Sequence, residues 1–70
     1  MTARNERRLE LLYQFLIDYN LENGYAPNHR EMCEEVGVDS TSLIAYYLRQ
    51  LEDDGKIRIT PRIARGVVVV

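Results

Sequence analysis

The chain has 70 residues, 46% of them hydrophobic and 29% charged, which specifies one small globular domain spanning 1–70 rather than a disordered segment. So short a chain has no second layer to form a catalytic cleft. It holds no apolar run near the roughly 20 residues that cross a bilayer, and no signal-peptide core follows its polar start, so an enzyme, a membrane protein and a secreted protein are all disfavoured. One cysteine excludes an internal disulfide and suits a reducing cytoplasm, and the net charge of −2 gives no overall attraction to a polyanion.

The spacing predicts a first helix over about 3–23. Leu9, Leu12, Tyr13, Leu16 and Ile17 recur at helical intervals, Thr2 is a candidate N-cap, and Asn23-Gly24 is a strong stop. Pro27 biases Ala26 away from helix, so residues 25–27 read as an extended link. A short strand near Tyr25 or Ala26 is a candidate partner for the hairpin further on. The second helix is expected over 28–36. Asn28 caps it, Glu31 completes a capping box, Met32, Cys33 and Val36 face inward, and Gly37 ends it.

Ser40 caps a third helix over 41–54, closed by Gly55. Ile44, Tyr47, Leu48 and Leu51 follow at i, i+3, i+4 and i+7 and define its inner stripe, so Ser42, Leu43, Ala45, Tyr46, Arg49 and Gln50 lie outward. Leu12, Leu16, Ile44, Leu48 and Leu51 are expected to meet in one cluster. Two strands follow, over 56–60 and 66–70, joined by a segment that carries Arg62 and Arg65. In the first strand Ile57 and Ile59 face one way and Lys56, Arg58 and Thr60 the other. The valine run 67–70 offers no polar contrast. Packing of both valine pairs against the first helix is the favoured reading, and an edge open to a second copy or a partner protein is the alternative.

Two helices joined by a tight Gly-containing turn form a helix-turn-helix, whose second helix is shaped for a DNA major groove. A basic hairpin directly after it makes a winged helix-turn-helix. The expected fold is therefore mainly α with a small β-hairpin: three helices plus a two-stranded wing. The charge distribution agrees. Residues 56–70 hold Lys56, Arg58, Arg62 and Arg65 and no acid, while acids gather at Glu31, Glu34, Glu35 and Asp39 and at Glu52, Asp53 and Asp54. This pattern points to sequence-specific binding of double-stranded DNA and to transcriptional regulation, with repression by promoter occlusion as the first expectation. A winged helix used for protein–protein contact is a rival, supported by the net acidity, the acidic second helix and the apolar tail. A DNA-binding piece of a larger replication or recombination factor is another.

Three groups of residues are candidate DNA contacts. On the third helix these are Ser40, Thr41, Ser42, Leu43, Tyr46 and Arg49. Short hydroxyls bond phosphates or base edges, Leu43 suits a thymine methyl, and Tyr46 suits a phosphate. At the start of the second helix they are Asn28, His29 and Arg30, where free amides and the helix dipole attract a phosphate, although Asn28 is also explained by capping alone. On the wing they are Arg58, Arg62 and Arg65, for a phosphate or a narrow minor groove, with a structural role as the alternative for Arg65. His29 and Cys33 are four apart, a spacing metal sites use, but two ligands do not close a zinc site and Cys33 reads as core. No metal, cofactor, small-molecule ligand or catalytic group is expected: the chain shows no paired carboxylates, Gly-rich phosphate loop or nucleophile–base pair.

The run Asn23-Gly24-Tyr25-Ala26-Pro27-Asn28-His29-Arg30-Glu31-Met32 resembles the N-terminal DNA-binding domain of the LexA repressor family, whose members carry a similar NGYPPSxREI run. The likeness continues through Gly37, Ser40, Tyr47-Leu48, Leu51-Glu52 and Gly55-Lys56-Ile57, and ends at Arg65-Gly66 before a β-branched tail. It covers nearly the whole chain. It implies a winged helix-turn-helix of bacterial or phage origin that works at the nucleoid, with the residues from Ser40 onward approaching the major groove. Three features depart from the family. Ala26-Pro27 stands for Pro-Pro, the Thr2-Ala3-Arg4 opening lies about one turn upstream, and no counterpart follows of the self-cleaving domain whose serine–lysine pair and dimer contacts complete those repressors. Self-cleavage, a DNA-damage role and the family's dimerisation mode are therefore not carried over.

Overall fold

The computed structural model describes residues 3–60 and 66–70, with side chains from Glu6 onward. The order of elements is α1 (Ala3–Asn23), α2 (His29–Val36), α3 (Thr41–Asp53), β1 (Ile57–Ile59) and β2 (Val67–Val69). The strands pair antiparallel, with Ile57 opposite Val69, Arg58 opposite Val68 and Ile59 opposite Val67. This is a winged helix-turn-helix. Among the described residues no helix is long and apolar enough to cross a membrane. The candidate N-cap Thr2 lies outside the described residues.

One core joins all five elements. Leu12 and Leu16 of α1, Met32, Cys33 and Val36 of α2, Ile44, Tyr47, Leu48 and Leu51 of α3, Ile57 of β1 and Val67 of β2 are buried together with Ala26. The five residues expected to meet do so. Leu9, Tyr13 and Phe15 pack against the cluster from α1, and Ile17 is half-buried.

Local chemistry sets the helix ends. The Asn28 side chain accepts from the Glu31 backbone N–H at 2.8 Å, and the Glu31 carboxylate accepts from the Asn28 N–H at 2.8 Å. Two amides left over at the start of α2 are thus satisfied reciprocally. Gly37 ends α2 at φ +83°, a left-handed conformation that costs a Cβ-bearing residue energy; its N–H and that of Val38 both donate to the Cys33 carbonyl. α3 stops at Asp53. Lys56 N–H then reaches the Leu51 carbonyl and Gly55 N–H the Glu52 carbonyl, the paired bonds of a Schellman ending.

Two expectations need correction. Residues 25–27 form no strand; Ala26 and Pro27 are buried under the core, and a proline offers no N–H to a ladder. The two valine pairs do not both pack inward. Val67 is buried and Val69 packs on the core, whereas Val68 and Val70 are 52% and 72% exposed. Strand residues alternate faces, and only one face of the β1–β2 ribbon meets the helices.

Polar joints fix the elements relative to one another. Tyr19 Oη donates to Glu31 Oε2 at 2.9 Å, tying the end of α1 to the start of α2 through the carboxylate that caps α2. Its ring meets Phe15 and Tyr25 edge-on, with centroids 5.5 and 5.9 Å apart. The Ile59 N–H donates to Glu52 Oε2 at 3.0 Å, joining β1 to the end of α3. Arg8 donates to Tyr47 Oη at 3.3 Å, and Lys56 Nζ lies 5.3 Å from the centroid of the Tyr13 ring.

Candidate nucleic-acid interface

α3 is amphipathic in a way that separates two jobs. Ile44, Tyr47, Leu48 and Leu51 are sealed in the core and hold the helix. Thr41, Ser42, Ala45, Tyr46 and Arg49 are exposed along the other side. Residues 41–50 contain no Asp or Glu, although the chain has 11 acids. A phosphate approaching this face therefore meets hydroxyls and a guanidinium without a carboxylate from those ten residues.

The candidate residues divide by what they already do. Ser40 accepts from the Leu43 N–H at 3.2 Å, so its hydroxyl caps α3 while staying exposed. Thr41, Ser42 and Arg49 stand outward, and Tyr46, 53% exposed, leans its ring on that of buried Tyr47 with centroids 5.9 Å apart. Leu43 differs from the rest: it is half-buried and packs against the core. At α2, Asn28 is half-buried and engaged in the capping box, whereas His29 and Arg30 are exposed. Arg58 points outward from β1, opposite exposed Val68 in the pairing. Arg62 and Arg65 lie outside the described residues.

Two recesses flank these residues. One, of about 470 Å³, lies between α2 and α3 and is lined by Arg30, Cys33, Glu34, Gly37, Val38, Asp39 and Thr41. Its two carboxylates oppose Arg30, so it is poorly matched to a polyanion. The other, of about 200 Å³, is a shallow notch on α3 lined by Ser42, Ala45, Tyr46 and Arg49. Ala45 was not among the expected contacts. Its outward position was readable from the spacing, but a methyl group carries no polar signal. Among the described residues no three His, Cys, Asp or Glu side chains gather in a metal-binding group, and Cys33 sits in the core.

Comparison with known proteins adds an independent line. The family model for the LexA DNA binding domain matches residues 1–66. The chain is similar to the LexA repressor of Alkaliphilus oremlandii, 39% identical over 66 residues, which is 94% of this chain and 32% of that repressor. It is similar to the LexA repressor of Herpetosiphon aurantiacus at 36% over 64 residues, 91% of the chain and 30% of the repressor. It is similar to the LexA repressor of Clostridium kluyveri at 36% over 70 residues, the whole chain and 35% of the repressor. The chain thus spans about a third of the length of these relatives.

Proposed function

Because the chain belongs to the LexA DNA binding domain family, we propose that it is a single DNA-binding domain that recognises double-stranded DNA sequence-specifically and represses transcription by occupying a promoter. The observation that carries this reading is the acid-free outer face of residues 41–50, the first turns of a helix anchored by four buried side chains. α3 enters the major groove, where Thr41, Ser42, Tyr46 and Arg49 meet base edges and phosphates. Arg30, with His29, faces the backbone at the start of α2. Arg58, Arg62 and Arg65 extend the footprint along the wing, against phosphate or in the minor groove. The protein works in the cytoplasm, on the nucleoid. One recognition helix reads few base pairs, so a second copy or a partner protein, meeting the outward side of β2, completes the site.

Titration of a fluorescent random-sequence duplex at several salt concentrations tests the reading. One small module neutralising about 3–5 phosphates gives a log–log salt slope of about −2.7 to −4.5. Sedimentation with a duplex carrying two half-sites then reports the stoichiometry, expected to be two protomers. A folded protein that ignores duplex DNA at low salt refutes the proposal. Exposed Val68 and Val70 would then assign the domain to protein recognition.

A further inference from the structure

We propose that the notch lined by Ser42, Ala45, Tyr46 and Arg49 reads the 5-methyl group of a thymine in the major groove. This rests on the DNA-binding reading above and names the base chemistry that reading leaves open. The four residues stand at i, i+3, i+4 and i+7 on α3 and enclose about 200 Å³. The recess is preformed. Ile44, Tyr47, Leu48 and Leu51 fix the helix beneath it, and Tyr46 rests on the buried Tyr47 ring.

Its chemistry selects among the bases. Ala45 contributes a methyl group and Tyr46 an aromatic ring, Ser42 adds one hydroxyl, and Arg49 adds the only charge on its lining. In the major groove guanine offers two acceptors, adenine an acceptor and an amino group, and cytosine an amino group; thymine alone offers an apolar group. The Ala45 methyl and the Tyr46 ring cover a thymine methyl, the Ser42 hydroxyl suits the O4 acceptor of the same base, and Arg49, one turn further on, suits the phosphate alongside. The other apolar candidate on α3, Leu43, is half-buried against the core. The larger recess between α2 and α3 carries Glu34 and Asp39, which repel a phosphate backbone.

The test begins with a site enriched from a randomised duplex pool. Each thymine in it is replaced singly by deoxyuridine, which deletes the methyl and keeps base pairing. Affinities are measured for the wild-type chain and for Ala45→Gln, whose longer side chain fills the notch from an exposed position. One thymine per half-site should lose about fourfold in affinity with the wild type, the worth of one buried methyl-sized group. That penalty should vanish in Ala45→Gln, whose thermal melt should match the wild type. An enriched site without a uracil-sensitive thymine overturns the inference, and so does a penalty that survives in Ala45→Gln, since another side chain then reads the methyl. Either result leaves DNA binding standing. Failure to enrich any duplex removes the DNA-binding reading and this inference together.

Discussion

Glu52 is a sensitive place to perturb the molecule, because one carboxylate on the last turn of α3 supports the outer edge of β1. Its Oε2 accepts from the Ile59 N–H at 3.0 Å, and both residues are half-buried. A hydrogen bond to a charged group contributes about 1.5–3 kcal/mol, with the lower end fitting this partly wet site. Two effects oppose that loss in Glu52→Ala. Alanine is the better helix former by a few tenths of a kcal/mol, and removing a negative charge from a helix C-terminus gains about 0.3–1 kcal/mol. The expected net destabilisation is about 0.2–0.9 kcal/mol. Glu52→Gln keeps an acceptor oxygen and loses the unfavourable charge, so it should lie within about 0.5 kcal/mol of wild type. Urea unfolding followed by circular dichroism measures both. With a slope near 1 kcal/mol/M, the alanine midpoint falls by about 0.2–0.9 M at unchanged slope. Hydrogen exchange adds a local readout, with the Ile59 amide losing protection in Glu52→Ala more than amides of the α1 core. An Ile59 amide equally protected in both variants, with alanine at or above wild-type stability, would refute the claim that this bond supports the wing.

The remaining predictions address the core, the turn and the wing. Leu48→Ala removes a side chain that is 2% exposed and should cost about 2–5 kcal/mol, enough to leave much of so small a domain unfolded at room temperature; a cooperative melt near the wild-type temperature would contradict the packing. Gly37→Ala meets open space, so its expected cost of about 1–2 kcal/mol is entirely that of φ +83°, and a neutral urea midpoint would show that the turn relaxes. Arg62→Ala should weaken all duplexes alike and lower the salt slope by about 1 if it contacts phosphate, or weaken A·T-rich flanks selectively if it enters the minor groove; unchanged affinity and slope would exclude the wing from the DNA contact.

The parts of this fold that are readable along the chain depend on neighbours a few residues apart. The capping box of Asn28 and Glu31, the left-handed stops at Gly24, Gly37 and Gly55, and the inner stripe of α3 are all local, and each lies where residue type and spacing place it. Contacts between distant segments left no such trace. Tyr19 meets Glu31 across 12 positions, Glu52 meets a backbone amide 7 positions on, and Arg8 meets Tyr47 across 39. None of these side chains announces its partner. The valine run failed for a different reason: four identical residues carry no inside–outside contrast, so only the ribbon's packing reveals that Val68 and Val70 face away. Leu43 shows that the apolar arc of α3 is wider than its i, i+3, i+4, i+7 core. For the interface, spacing gives Ser42, Ala45, Tyr46 and Arg49 as outward but misplaces the half-buried Leu43 and Gln50, and it does not give the notch that Ala45 helps to line, because a recess depends on the shapes of four side chains together.

The division of α3 into an anchored side and an outward side has an evolutionary consequence. Ile44, Tyr47, Leu48 and Leu51 hold the helix in the core, and Thr41, Ser42, Ala45, Tyr46 and Arg49 stand exposed outside it, with the Tyr46 ring leaning on that of Tyr47. Substitutions at exposed positions away from caps usually change stability by less than about 0.5 kcal/mol. The outward five can therefore drift or be exchanged as a block without the chain passing through an unfolded intermediate sequence. On the proposed DNA-binding reading, a duplicated copy of this gene could acquire a new target site while keeping its scaffold, and a designer could graft a foreign set of five onto the same helix by the same route.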